Sequence, residues 1–149
     1  MVAASNFFGV VFSRLVTPTM LTEFLLAWEL SPTMVLIIVM ALIFLLGWPL
    51  EWVPIVLIIV PILIPVLVKL DINLTWFGIL VAVNLQTAWL SPPVALSAYF
   101  LKGVVPEWDL KDIYLGMMQF MVIQVIGLIL IFIFPEIALW LPEYIYGSK

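Results

Sequence analysis

An all-α integral membrane protein is the fold class the sequence predicts, and three observations lead there. Of the 149 residues, 66% are apolar and 9% charged, and the mean hydropathy is +1.34. An ordinary soluble domain carries about 25% charged residues to wet its surface. The charges also punctuate long uncharged stretches, from Leu30 to Leu50, Trp52 to Val68, Ile72 to Leu101 and Ile113 to Pro135. The solvent for most of this surface is therefore lipid, and the whole chain, 1–149, reads as a single membrane domain.

Composition also excludes functions. The chain has no Cys and no His, so disulfides, Cys or His zinc sites and His-based triads are ruled out. No Gly-rich phosphate loop or basic patch is present, so neither nucleotide chemistry nor a nucleic-acid partner is expected. The first positive charge is Arg14, so there is no basic region of a signal peptide ahead of it. The chain is not expected to be an enzyme.

The elements follow in order. Residues 1–13 are apolar but short and read as the tail of a helix, and residues 17–30, with Glu23, Trp28 and Glu29, read as an amphipathic connector. Ser31-Pro32 pairs an N-cap with proline at the first helical position and starts a helix to about Leu46. Glu51 is an ionisable group in a membrane setting, a functional candidate by default, although Trp48 and Trp52 flank it and favour an interfacial, loop-orienting role.

Trp52–Val68 carries Pro54, Pro61 and Pro65. Each interior proline removes a donor and clashes with the carbonyl four residues back. Non-helical backbone in lipid is tolerated only inside protein or against a watery cavity. A re-entrant hairpin over Pro54–Val68, turning near Pro61–Pro65, meets that demand, and a single kinked span is the alternative. Asp71 and Asn73 read as caps for a helix beginning near Leu74.

The stretch Ile72–Leu101 is too long for one span of about 20 residues and too short for two. At its centre stands Ser91-Pro92-Pro93, where two prolines stop a helix and push Ser91 toward extended backbone. The amides missing at 92 and 93 would have served the carbonyls of Ala88 and Trp89. This predicts a broken helix inside the membrane, the kind of place where secondary transporters bind ions. Asn84, Thr87 and Ser91 share one helical face leading into the break. Such neutral oxygens suit a hard cation such as sodium, with Ser91, Thr87 and the carbonyls of Ala88 and Trp89 as its candidate ligands and Asn84 holding the helix to a neighbour. The competing reading makes the stripe plain helix-to-helix glue. Gln86 points off the stripe toward another helix. Finally, Asp109-Leu-Lys-Asp112 resembles a capping sequence before a helix through Phe134, stopped by Pro135.

Taken together, Gly47-Trp-Pro-Leu-Glu51, the pair Pro61 and Pro65, Asn84 spaced ahead of Ser91-Pro92-Pro93, and the closing Phe134-Pro-Glu run through Trp140 to Pro142 resemble the large membrane subunit of tripartite ATP-independent periplasmic (TRAP) transporters, in its C-terminal part. That resemblance implies the second half of an inverted-repeat, elevator-type fold and a sodium-coupled secondary transporter of organic anions such as dicarboxylates. It implies a multi-pass protein of the bacterial inner membrane. It also implies a small membrane subunit, a periplasmic substrate-binding protein, and the remaining N-terminal repeat or self-association as partners. Sodium would be the coupling ion, and no organic cofactor is expected. The family usually has Thr before the two prolines and Gly soon after them, where this chain has Ser91 and Ala95. The rival from another class is a non-transporting helical scaffold subunit.

Overall fold

The computed structural model describes Phe7, Val11 and residues 31–50, 52–91 and 95–147. Six helices follow in that stretch of the chain: α1 Pro32–Gly47, α2 Trp52–Lys69, α3 Leu74–Leu90, α4 Leu96–Val104, α5 Leu110–Ile133 and α6 Glu136–Tyr146. No strand occurs among the described residues. The expected N-terminal tail helix, apart from Phe7 and Val11, and the connector over residues 17–30 lie outside them.

The ends of α1 and α3 are set by local chemistry. Ser31 is extended, and its hydroxyl accepts from the Met34 amide at 3.3 Å, with Pro32 opening α1. Asn73 caps α3, its side-chain oxygen accepting from Thr75 and Trp76 at 2.9 and 3.1 Å. Asp71, expected to share that role, instead takes a positive φ of 56° in the turn after α2. Asp109 occupies the N-cap position of α5, but its side chain makes no capping hydrogen bond.

The hairpin turn expected near Pro61–Pro65 is not there. Residues Trp52–Lys69 form one helical run, interrupted only by a π-turn over Ile55–Ile59 in which the Val60 amide reaches back to the Ile55 carbonyl. A π-turn is a usual way for a helix to absorb a local mismatch. Here the widened turn directly precedes Pro61, which stands in the first turn of the α-helical stretch that follows, where a missing amide is tolerated. Only Pro65 is left inside that stretch.

Helix directions follow from the cross-contacts. Met40 meets Asn84 and Gly47 meets Ala88, so α1 and α3 run the same way, with α2 returning between them. Opposite this, Trp76 donates to the Ile131 carbonyl at 3.0 Å and Gln124 donates to the Val83 carbonyl at 3.1 Å, so α5 runs antiparallel to α3. Beyond the break, Ala95 and Ala98 pack with Ile113 and Met117, and α4 continues the antiparallel register. The helical rise places the end of α3 about 6 Å past Gln86 and the start of α5 about 21 Å past Gln124. The break thus lies roughly 15 Å inside the end of α5. Because Gly47 abuts Ala88, the α1–α2 turn lies at that same depth. Trp48 and Trp52 flank this turn, Trp48 after the end of α1 and Trp52 at the start of α2.

The core joins α1, α2 and α3 through Leu36, Ile43, Ile55, Leu67, Phe77 and Leu80, with Leu128, Ile131 and Phe132 of α5 packed against it. Leu80, Val81 and Leu85, apolar neighbours of the polar stripe, are buried here. The two helices long and apolar enough to cross a bilayer are only 22% (α2) and 11% (α5) buried, so most of their apolar surface faces outward. Lys102 closes the loop between α4 and α5 by donating to the carbonyls of Pro106, at 2.7 Å, and Trp108.

A Cβ added at Gly47 would lie 3.2 Å from the Ala88 Cβ, whereas one at Gly127 would meet nothing within 4 Å. Gly47→Val is therefore expected to lose about 1–3 kcal/mol through overpacking. Gly127→Ala should gain up to about 1 kcal/mol of helix propensity. Denaturation of both variants in mixed micelles checks the contrast.

Candidate functional site

The polar stripe is brought together as one buried face. Asn84, Thr87 and Ser91 are each only 1% exposed, and the surrounding side chains are apolar. Asn84 donates from Nδ2 to the Met40 carbonyl at 2.8 Å, with the Met40 sulfur at 3.8 Å, so this side chain ties α3 to α1. Its Oδ1 is buried and has no hydrogen-bond partner among the described residues. Such an atom normally leaves about 1–3 kcal/mol of desolvation unrecovered, and more in lipid.

The two hydroxyls turn their protons inward on their own helix. Thr87 donates to the Asn84 carbonyl at 2.6 Å, and Ser91 donates to the Ala88 carbonyl at 3.5 Å, a long bond. Both oxygens therefore keep lone pairs for another group. With Asn84 Oδ1, the face offers three buried neutral oxygens that can accept. No cluster of three His, Cys, Asp or Glu exists among the described residues, so hard neutral oxygens are the chemistry at hand.

The backbone breaks where the prolines demand it. Ser91 is extended at φ −89° and ψ 130°, its amide still bonded to the Thr87 carbonyl at 3.0 Å and its carbonyl accepting from the Ala95 amide at 3.0 Å. Ala95 restarts the chain with φ 22°, in the region that favours glycine. Where the resemblance implies a glycine, the chain thus carries a strained alanine. Pro92, Pro93 and Glu51 lie outside the described residues. Ala88 is buried within the site, and the Trp89 side chain is 40% exposed at its margin. Pro61 and Pro65 are not among its residues, standing about 13 Å or more down α2 from Trp52 by helical rise.

Two features escaped sequence reasoning. Gly47 stands out in the sequence only through its motif, and its close approach to Ala88 needed the packing of α1 on α3. Gln124 on α5 donates to Gln86 Oε1 at 2.9 Å, giving Gln86 the helix neighbour expected for it. A glutamine in each helix was the only available signal.

Comparison with known proteins gives the family. Residues 1–137 match the family model of the DctM component of the tripartite ATP-independent periplasmic transporter. The chain belongs to that family. The sialic acid TRAP transporter large permease protein SiaM of Vibrio cholerae is 30% identical over 99% of this chain and 34% of its own length. The C4-dicarboxylate TRAP transporter large permease protein DctM of Rhodobacter capsulatus is 34% identical over 85% of this chain and 28% of its own. The sialic acid TRAP transporter permease protein SiaT of Haemophilus influenzae is 27% identical over 96% of this chain and 23% of its own. The chain thus spans about a third or less of the length of the curated relatives it matches. No solved structure gives a significant match. TRAP large permeases are membrane proteins, and these relatives are named as transporter permeases rather than enzymes.

Two substitutions probe the energetics of the break. Asn84→Ala should lower stability by about 0.6–2 kcal/mol, the range for interhelical hydrogen bonds in membranes. Ala95→Gly should raise it by up to about 1 kcal/mol by relieving the positive φ. Thermal unfolding in detergent reads both.

Proposed function

We propose that this chain belongs to a sodium-coupled TRAP-type transporter that imports organic anions across the bacterial inner membrane. The observation that carries the reading is the buried face of Asn84, Thr87 and Ser91 at the helix break, whose oxygens keep acceptor capacity, Asn84 Oδ1 having no partner among the described residues. Sodium would be held by the Ser91 hydroxyl, the Ala88 and Trp89 carbonyls and Thr87, and it would supply the charge that couples the ion gradient to transport. The substrate class rests on relatives named for sialic acid and for C4-dicarboxylates, both carboxylic acids. A periplasmic binding protein delivers the substrate, a small membrane subunit completes the complex, and the other repeat or a second copy supplies the rest of the site.

In this reading α1 and α2 are the two arms of a re-entrant hairpin. Both open toward the end where α3 begins, and their shared turn at Trp48–Leu50 stops at the depth of the break. The hairpin is thus moved one helix upstream of the position expected from the prolines.

The helix-glue reading has an observation of its own, the hydrogen bond from Asn84 to Met40. It supports a scaffold role for Asn84 but leaves Oδ1, Thr87 and Ser91 with lone pairs to spare.

Sodium-titrated uptake by the complete transporter in proteoliposomes separates the two. Ser91→Ala should weaken the sodium dependence while the protein still folds. Pro92→Ala should impair uptake by restoring an amide that pairs the Ala88 carbonyl. Wild-type sodium dependence in both variants would leave the stripe as helix glue.

A further inference from the structure

The π-turn of α2 divides that helix into two segments with different surroundings. Below it, Leu63, Val66 and Leu67 are buried in the three-helix core. Trp52 above it and Val56 within it stand across a groove of about 310 Å³ from Ala82, Leu85, Gln86 and Trp89 of α3. Both tryptophans are half-exposed, Trp52 at 41% and Trp89 at 40%. Ile55, at the start of the π-turn, is completely buried and anchors the upper segment at a single point.

The backbone bonds that would stiffen this junction are thinned. The Val60 amide serves Ile55, five residues back, and Pro61 brings no amide to the next turn. In a regular helix that amide would have bonded the Leu57 carbonyl, and the amide missing at Pro65 would have bonded that of Pro61. π-turns and prolines are the usual seats of helix bending. The turn that the upper segment carries is itself exposed, at Trp48, Pro49 and Leu50.

From this we propose that the π-turn is a hinge, with Ile55 as its pivot. On it the Trp52 end of α2 swings toward α3 and closes the groove between Trp52 and Trp89, while Gly47 keeps its contact with Ala88. Filling that groove removes two half-exposed indoles from lipid or water and packs them against Leu85 and Ala82. The core below the hinge stays where it is. The value of the motion to transport rests on the hairpin reading above, but the motion itself does not.

The test is distance measurement by double electron–electron resonance in the complete transporter, because this chain has no cysteine of its own. One spin-label pair joins Leu50→Cys to Leu115→Cys, across the hinge. The control joins Val68→Cys, below the hinge, to the same Leu115→Cys, all three sites being exposed. Two populations are expected for the first pair, separated by about 5 Å, one helical turn, and a single narrow one for the control. Ala82→Phe, which fills the groove, should leave the first pair with its open distance alone. A first pair as narrow as the control overturns the hinge, and two populations unaltered by Ala82→Phe overturn closure of this groove. Uptake by the unmutated transporter that does not respond to sodium would overturn the proposed function and leave this result standing.

Discussion

A single hydrogen bond, from the Asn84 side chain to the Met40 carbonyl at 2.8 Å, joins the broken helix to the first arm of the helix pair beside it. In lipid there is no water to compete for either group, so the bond fixes rotation and depth as well as adding stability. It sets Asn84 inward, and with it Thr87 and Ser91 on the same face. One turn further on, Gly47 lets the two helices approach to near contact at Ala88. The α1–α2 turn and the break are level because these two contacts hold them so.

The prolines act on the same backbone constraint with opposite results. In α2 the lost amides are absorbed, since a π-turn precedes Pro61 and the helix continues to Lys69. At Ser91 the helix ends, and the chain restarts at Ala95 with strained backbone. Spacing explains the difference. Prolines four residues apart leave intact turns between them, while adjacent prolines remove two successive amides and bias the preceding residue toward extended backbone. The site at the break has a matching character, with hydroxyl protons turned onto the helix's own carbonyls and acceptor lone pairs left over.

α5 supplies the measure of depth. Its contacts with Trp76, Val83 and Gln86 on one side of the break, and with Ala95 and Ala98 on the other, keep the interrupted chain in line along one continuous helix. A helix break stays aligned only where a neighbour spans it. The strain at Ala95 persists because the residues around it are packed against Ile113 and Met117.

By itself the sequence determined the membrane class, the cap at Ser31, the cap at Asn73, the break at Ser91 and the polar face leading into it. Each is a local consequence of composition, of proline's missing amide or of helical periodicity, and needs no knowledge of neighbours. The tertiary structure decided where the helix pair turns, which partner Asn84 and Gln86 find, and that Pro61 and Pro65 stay within one helix. Those outcomes depend on whether a freed carbonyl can be accommodated by widening a turn, and on which side chains lie at equal depth on adjacent helices. Two prolines read alone allow either a turn or a continued helix. Only the packing of α1 against α3, through Gly47 and the Asn84 hydrogen bond, puts the turn at Trp48 and leaves α2 unbroken.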